Sequence, residues 1–246
     1  MKKIALVLLF STFLLEGLFA QDFQKVRFGV QASPSWSWLR TNDKKIEGLS
    51  SNWGLKLGVM GEFYFASNYS ITTGLGFGFN QGGFLQNGHS KGVFWPKSDL
   101  SSPALDTMPM NAKLHYRVNY VEIPLGFKMR GGSNEDSRMK FYAEIPVFTL
   151  GFVSKGTGDI RGTNNQNSDD ENIRSDINGL SLSWGLGAGI EYEFATHATA
   201  VAGIAFQKQF TDLTRDSGSV LTPNGWEKED SKANMGIISL KLGIFF

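Results

Sequence analysis

The sequence predicts an all-β chain, folded as an eight-stranded antiparallel up-and-down transmembrane β-barrel. Three observations predict it. Eight segments alternate apolar and polar side chains with a period of two, which gives a strand two unlike faces. The connections between them alternate short and long, as in barrels that cross a membrane. Beyond the first twenty residues no segment carries the unbroken apolar run of a membrane-spanning helix.

The first segment, about 26–38, sets Val26, Phe28, Val30 and Ala32 against Arg27, Gly29, Gln31 and Ser33. The second, about 53–65, opposes Leu55, Leu57, Val59, Phe63 and Phe65 to Lys56, Gly58, Met60, Glu62 and Tyr64. Ala66-Ser67-Asn68 has turn composition. The third segment follows at once, with Tyr69, Ile71, Leu75, Phe77 and Phe79 facing away from Ser70, Thr72, Gly74, Gly76 and Gly78. The fourth, about 114–129, places Val121, Ile123, Leu125 and Phe127 opposite Tyr120, Glu122, Gly126 and Lys128. Its upper part, with His115, Arg117 and Asn119, reverses polarity, which predicts a stretch above the bilayer or a bulge.

The fifth, about 139–152, alternates Phe141, Ala143, Ile145 and Val147 with Lys140, Tyr142 and Glu144. The sixth, about 180–194, opposes Leu182, Trp184, Leu186, Ala188, Ile190, Tyr192 and Phe194 to Ser183, Gly185, Gly187, Gly189, Glu191 and Glu193. The seventh, about 198–210, shows a smaller outer face of Ala200, Ala202, Ile204 and Phe206. The eighth closes the chain, with Ile238, Leu240, Leu242, Ile244 and Phe246 alternating with Ser239, Lys241, Gly243 and Phe245.

Short connections fall at 66–68, 131–138 and 196–197, long ones at 39–52, 81–113, 153–179 and 211–233. An even strand number puts both termini on the short-turn, periplasmic side. A soluble sandwich also alternates, but it leaves the short–long rhythm and the aromatic strand ends unexplained.

The chain opens with Lys2 and Lys3, a mostly apolar run over 4–15, and Ala20 before Gln21, which is the pattern of a secretory signal peptide. The expected division is 1–20 as leader and 21–246 as one barrel domain. No Cys occurs, so neither disulfides nor a lipid-anchored cysteine is expected. Lys+Arg total 24 and Asp+Glu 23, a balance that gives nucleic acid no electrostatic handle.

The polar faces carry Arg27, Lys56, Lys128, Lys140 and Lys241 together with Glu62, Glu122, Glu144, Glu191 and Glu193. Buried charges are costly unless paired, so a balanced lumenal charge network is expected. Eight strands leave a lumen that side chains fill. The expected result is a packed polar plug, with an ion path as the alternative. The glycine rows leave space for Tyr64, Tyr120 and Tyr142.

A terminal strand ending on Phe246 resembles the last strand of bacterial outer-membrane barrels, in which the final Phe is an insertion signal. That resemblance implies the cell outer membrane, its lipid, and the barrel-assembly machinery as partners. Tyr120-Val121-Glu122-Ile123-Pro124-Leu125-Gly126-Phe127-Lys128 resembles the Tyr-x-Glu-Ile-Pro-Leu-x-x-Lys motif of the PorT-like porin family of Bacteroidota. The resemblance implies an accessory role in a surface or secretion complex, reached through the long loops. Glu144-Ile145-Pro146 echoes the motif on the next segment. Proline removes a ladder donor, so bulges are expected near Pro124 and Pro146.

Catalytic and metal signals are weak. His89, His115 and His197 have no Ser or acid at triad-like spacing, so neither an enzyme nor a cofactor is expected. Asp169, Asp170, Glu171 and Asp176 could offer oxygen ligands to calcium, but without an ordered ligand pattern a solvated flexible loop is the expectation. The second long connection is unusually apolar, with Phe84, Leu85, Phe94, Trp95, Leu105 and Met108, which suits partner docking or folding over the barrel mouth. Asp106-Thr107-Met108 resembles the O-glycosylation acceptor motif of this phylum and marks Thr107 as a candidate. The expected function is a non-catalytic outer-membrane protein with a structural or interaction role. The alternatives are a narrow pore for small solutes or ions, and a lipid-modifying enzyme.

Overall fold

The computed structural model describes residues 26–42, 46–132, 138–162 and 166–246. The leader assigned to 1–20 lies outside them. Eight long strands close an antiparallel ring: β1 (Val26–Thr41), β2 (Ile46–Ala66), β3 (Tyr69–Asn87), β4 (Lys113–Gly131), β5 (Met139–Arg161), β6 (Leu180–Ala195), β7 (Ala198–Gln209) and β8 (Ala233–Phe245). Each pairs with its sequence neighbours, and β8 pairs with β1 to close the ring. Closure leaves no free edge in the spanning region, which satisfies the backbone where water is absent.

Most strands reach further at the long-loop end than the alternation indicates. The connections there are also structured. Asn167–Asn172 extends the sheet beside β5. Lys91–Val93, Met108–Pro109, Gly218–Thr222 and Gly225–Glu229 form a second, four-stranded sheet. The two sheets and their connections make a cap.

Polarity inverts between barrel and cap. In the lower part Val30, Leu57, Leu75, Leu125, Phe141, Leu186 and Leu242 are exposed around the outside, while Arg27, Glu62, Lys128 and Glu191 are buried inside. Lipid outside rewards that arrangement. In the cap Leu114, Tyr116 and Val118 point inward, while His115, Arg117 and Asn119 point outward and are only partly covered. Water outside rewards the reverse. On β4 the change falls between Tyr120 and Val121 without a change of phase, so its upper part is the stretch above the bilayer; the pairing shift beside it, between Asn119 and Tyr120, puts the extra residue, Ser154, on β5. Aromatic pairs mark both edges of the apolar belt. Trp36 and Trp53 stand 4.6 Å apart at the upper edge, and Phe65, Tyr69 and Phe127 stack at the lower.

Two strands do change phase. On β3 the pairing with β4 shifts between Gly78 and Gln81, at Asn80 with φ 54°, so even positions face inward below it and odd positions above. On β5 the pairing with β6 shifts between Glu144 and Val147. Ile145 and Pro146 are both exposed, Val147 lines the lumen, and Phe148 faces out. This corrects the expected outward position of Val147. Alternation carried straight through the segment misses the bulge that Pro146 imposes by lacking a donor. The neighbouring shift in the β4–β5 pairing falls between Gly126 and Lys128, close to Pro124.

Candidate functional site

The lumen is built in layers. At its floor Arg27 donates to Glu62 at 2.6 Å and to Glu191 at 2.7 Å. Lys128 donates to Glu62 at 2.5 Å and also pairs with Glu191. The Tyr64 hydroxyl donates to Glu62 at 2.6 Å and accepts from Arg130 at 3.1 Å. These residues come from β1, β2, β4 and β6, so the network ties opposite walls of the barrel together. Phe245 lies beneath the Arg27 guanidinium at 5.0 Å, and Tyr142 faces the Lys128 ammonium at 4.5 Å. Tyr142 fits because it packs on two glycines. A Cβ at Gly203 would stand 2.3 Å from its hydroxyl, and one at Gly189 2.8 Å from its ring.

Above the floor Lys241 donates to Glu144 at 2.5 Å. Lys56 reaches both Glu122 oxygens at 3.0 Å and Gln207 at 2.6 Å. Between these pairs lies a chamber of about 100 Å³, also lined by Gln31, Thr72 and Val147. That is room for several waters. A neutral polar layer follows, in which Gln81 donates to Ser35 at 3.0 Å, Gly82 N–H to Ser37 at 2.8 Å and Gln207 to Ser183 at 2.6 Å. The top is an apolar plug of Leu39, Leu85, Trp95, Leu114, Tyr116 and Ile177. Trp95 donates to the Tyr116 hydroxyl at 2.9 Å. The apolar second connection therefore folds over the mouth.

Eight of the ten charges assigned to the network meet in these pairs. Lys140 and Glu193 do not, which corrects their expected place in the lumen. They line a cavity of about 240 Å³ at the short-turn mouth, beside Arg27, Tyr64, Arg130 and Phe245, and Glu193 is exposed. The strand phase is right, but both residues sit past the last layer that side chains fill. The floor also uses Arg130 and Phe245, which a count of lumenal charges over the assigned segments does not include. Arg130 shares the parity of Lys128 one step beyond the assigned segment end, so the signal was present. Of the fourth-strand motif, Tyr120, Glu122 and Lys128 are buried, while Ile123 and Leu125 face out. Phe246 is exposed on the outer face, its backbone bonded to Phe28.

On the outer wall of the cap, His115 stacks on Phe84 and its ring nitrogens meet Asp159 at 2.9 Å and Asn52 at 3.1 Å. Burial pulls the imidazole below its ordinary range although Asp159 opposes this. Both ring nitrogens of His115 are thus engaged by neighbouring side chains.

The acidic cluster is not a free solvated loop. Asp169 pairs with Arg161, Asp170 with Arg117, Glu171 with Ser101 and Ser168, and Asp176 with Ser98 and the Lys97 N–H. Lys97, Ser98 and Ser101 come from the second long connection and Arg117 from β4, partners that sequence spacing does not reveal. Among the described residues no three His, Cys, Asp or Glu side chains converge as metal ligands. Thr107 is half-buried beside the buried Met108.

A closed ring of eight antiparallel strands, apolar outside and charged inside, defines an integral membrane β-barrel of the outer-membrane type. The chain belongs to the family described as the outer membrane protein beta-barrel domain, whose model matches residues 19–216. No curated protein sequence matches it.

Similar solved structures include the surface protein NspA of Neisseria, with 12% identity and a TM-score of 0.38 over 89% of this chain and 95% of that one. Ail of Yersinia pestis is similar at 10% identity and a TM-score of 0.39, over 91% and 100%. OprG of Pseudomonas aeruginosa is similar at 12% identity and a TM-score of 0.38, over 90% and 94%. Membership of the family places the protein in the outer membrane. In such barrels the short turns are periplasmic and the long connections extracellular.

Proposed function

We propose that this protein is a closed, non-catalytic scaffold that carries a structured extracellular cap, in a structural or interaction role. The observation behind this reading is closure of the lumen at both ends. Paired charges and Phe245 fill the floor, and the apolar plug fills the top. His115, engaged on both nitrogens, weighs against a lipid-modifying enzyme. The narrow-pore reading draws on the central chamber, but that chamber is small and sealed on both sides.

The resemblance of residues 120–128 to the PorT-like motif makes a surface or secretion complex the natural setting, with the cap as its contact. Residues 1–20 would act as the export signal, Phe246 as the recognition element for barrel assembly, and Thr107 as a glycan acceptor on the cap. Planar-bilayer recording of the purified protein tests the core of the proposal. The expected trace shows no steady conductance. Reproducible unitary currents would overturn it in favour of the pore.

A further inference from the structure

On the β4–β5 wall of the cap Arg117 bonds Asp159 and Asp170 at 2.6 Å and Arg161 pairs with Asp169, while the exposed Lys113 and Lys155 form no ion pair among the described residues. On the β7–β8–β1 wall three such cations stand together. Arg40, Lys208 and Lys232 are all exposed there, and none forms an ion pair among the described residues.

Strand register brings these three together. Arg40 lies opposite Asn234, and Lys208 lies opposite Gly236, which in turn lies opposite Trp38. Lys232 is two residues before Asn234, and its N–H donates to Asn42 at 2.8 Å. Arg40 and Lys208 are thus two strands apart and two residues out of step, about 12 Å between backbones, with Lys232 two residues above the level of Arg40.

Their level is set by aromatics. Trp184 pairs across from Lys208. Trp38 and Trp184 lie 6.4 and 6.2 Å from the Phe206 ring below it, and the exposed Phe210 follows above. Lys208 therefore stands within the upper aromatic edge of the lipid-facing belt. A cation there lifts its ammonium towards the headgroups and needs an anion at that height. Among the described residues Lys208 has no carboxylate partner, whereas the outer leaflet offers phosphate.

We infer that Arg40, Lys208 and Lys232 bind phosphate groups of an outer-leaflet lipid, of the class that carries phosphate monoesters on a glycolipid headgroup. Trp38 and Trp184 flank the site at the boundary between headgroup and acyl chain. Three cations without an ion pair among the described residues complement an anion of more than one charge, which favours a monoester lipid over a singly charged phosphodiester lipid.

The test measures binding of bisphosphorylated lipid A to the full mature protein in detergent by native mass spectrometry. The variants are Arg40→Gln, Lys208→Gln and Lys232→Gln, singly and combined, with Lys155→Gln on the β5 wall as control. Each single change is expected to weaken binding about fivefold, and the triple change on the order of a hundredfold. The control should bind as wild type does.

Phosphatase-treated lipid A should bind as weakly as lipid A binds the triple variant. Phosphatidylglycerol should bind far less, and inorganic phosphate should not displace the lipid. Unchanged binding by the triple variant overturns the site, as does equal loss in the control. Equal binding of phosphatidylglycerol overturns the monoester class, and displacement by inorganic phosphate overturns the lipid source. Heat-modifiable migration checks folding. If the triple variant fails to fold, the single variants decide.

Discussion

At the lumen floor Glu62 accepts bonds from Arg27, Lys128 and Tyr64 and is 1% exposed. Around it three cations, Arg27, Lys128 and Arg130, share two carboxylates, Glu62 and Glu191. Neutralising Glu62 leaves three cations to one carboxylate, two of them, Arg27 and Lys128, buried, and an uncompensated buried charge is the costly case. Glu122 is placed differently. Its partner Lys56 also holds Gln207 and borders the chamber, so the ammonium keeps polar company when the carboxylate is lost. Glu62→Gln is therefore expected to cost about 3–5 kcal/mol, and Glu122→Gln about 1.5–3 kcal/mol. Urea unfolding of protein refolded into lipid vesicles measures both. A larger loss at Glu122 than at Glu62 would show that the floor is not the main electrostatic tie between the walls.

The Asn167–Asn172 strand is held to the second connection by one acid. Glu171 accepts from the Ser101 N–H at 2.9 Å and from the hydroxyls of Ser101 and Ser168. Burial would raise its carboxyl, but these bonds outweigh burial and hold it below the ordinary range. A depressed acid stabilises the fold fully above its unfolded value, about 4.3, and loses that contribution as pH falls through the folded value. Protection of the Ser101 amide from hydrogen exchange should therefore be constant near neutrality and fall once the pH drops below about 4. Glu171→Gln should abolish that pH dependence; an identical profile in the variant would remove Glu171 from the latch.

The strand itself was not legible in the sequence. Asn167 to Asn172 is polar throughout, so no alternation marks it, and Ser101, which latches it through Glu171, comes from the second connection. The barrel strands were legible because lipid outside and charge inside write a period of two directly into residues such as Leu240, Lys241 and Leu242. Pairing was not legible. It depends on local shifts at Asn80 and at Ile145-Pro146, which change which residue faces which without altering composition.

The whole molecule joins two solvent regimes in one closed sheet. Leu39, Tyr116 and Met235 face inward above the belt, and Ser35, Glu122 and Ser239 face inward within it. A strand that crosses the boundary keeps its phase, or flips it at a bulge, but exchanges its polar face. For that reason the upper strand halves read as loops when only one kind of alternation is sought.

The same inversion places two seals in series, the charged floor and the apolar plug, with the chamber between them. Barriers in series block current as long as either one stands. A floor variant, Glu62→Ser with Lys128→Ser and Phe245→Ala, removes one acid and one base and keeps the charge balance. A cap variant replaces residues 90–108 with a short Gly-Ser linker and removes Phe94, Trp95, Leu105 and Met108 from the plug. Each variant alone is expected to remain closed in planar bilayers, and the two combined to pass a small steady current, once heat-modifiable migration shows that all have folded. Steady current through either single variant would mean that the other end is not a seal. A closed double variant would move the block to the Lys56–Glu122 and Lys241–Glu144 pairs within the chamber.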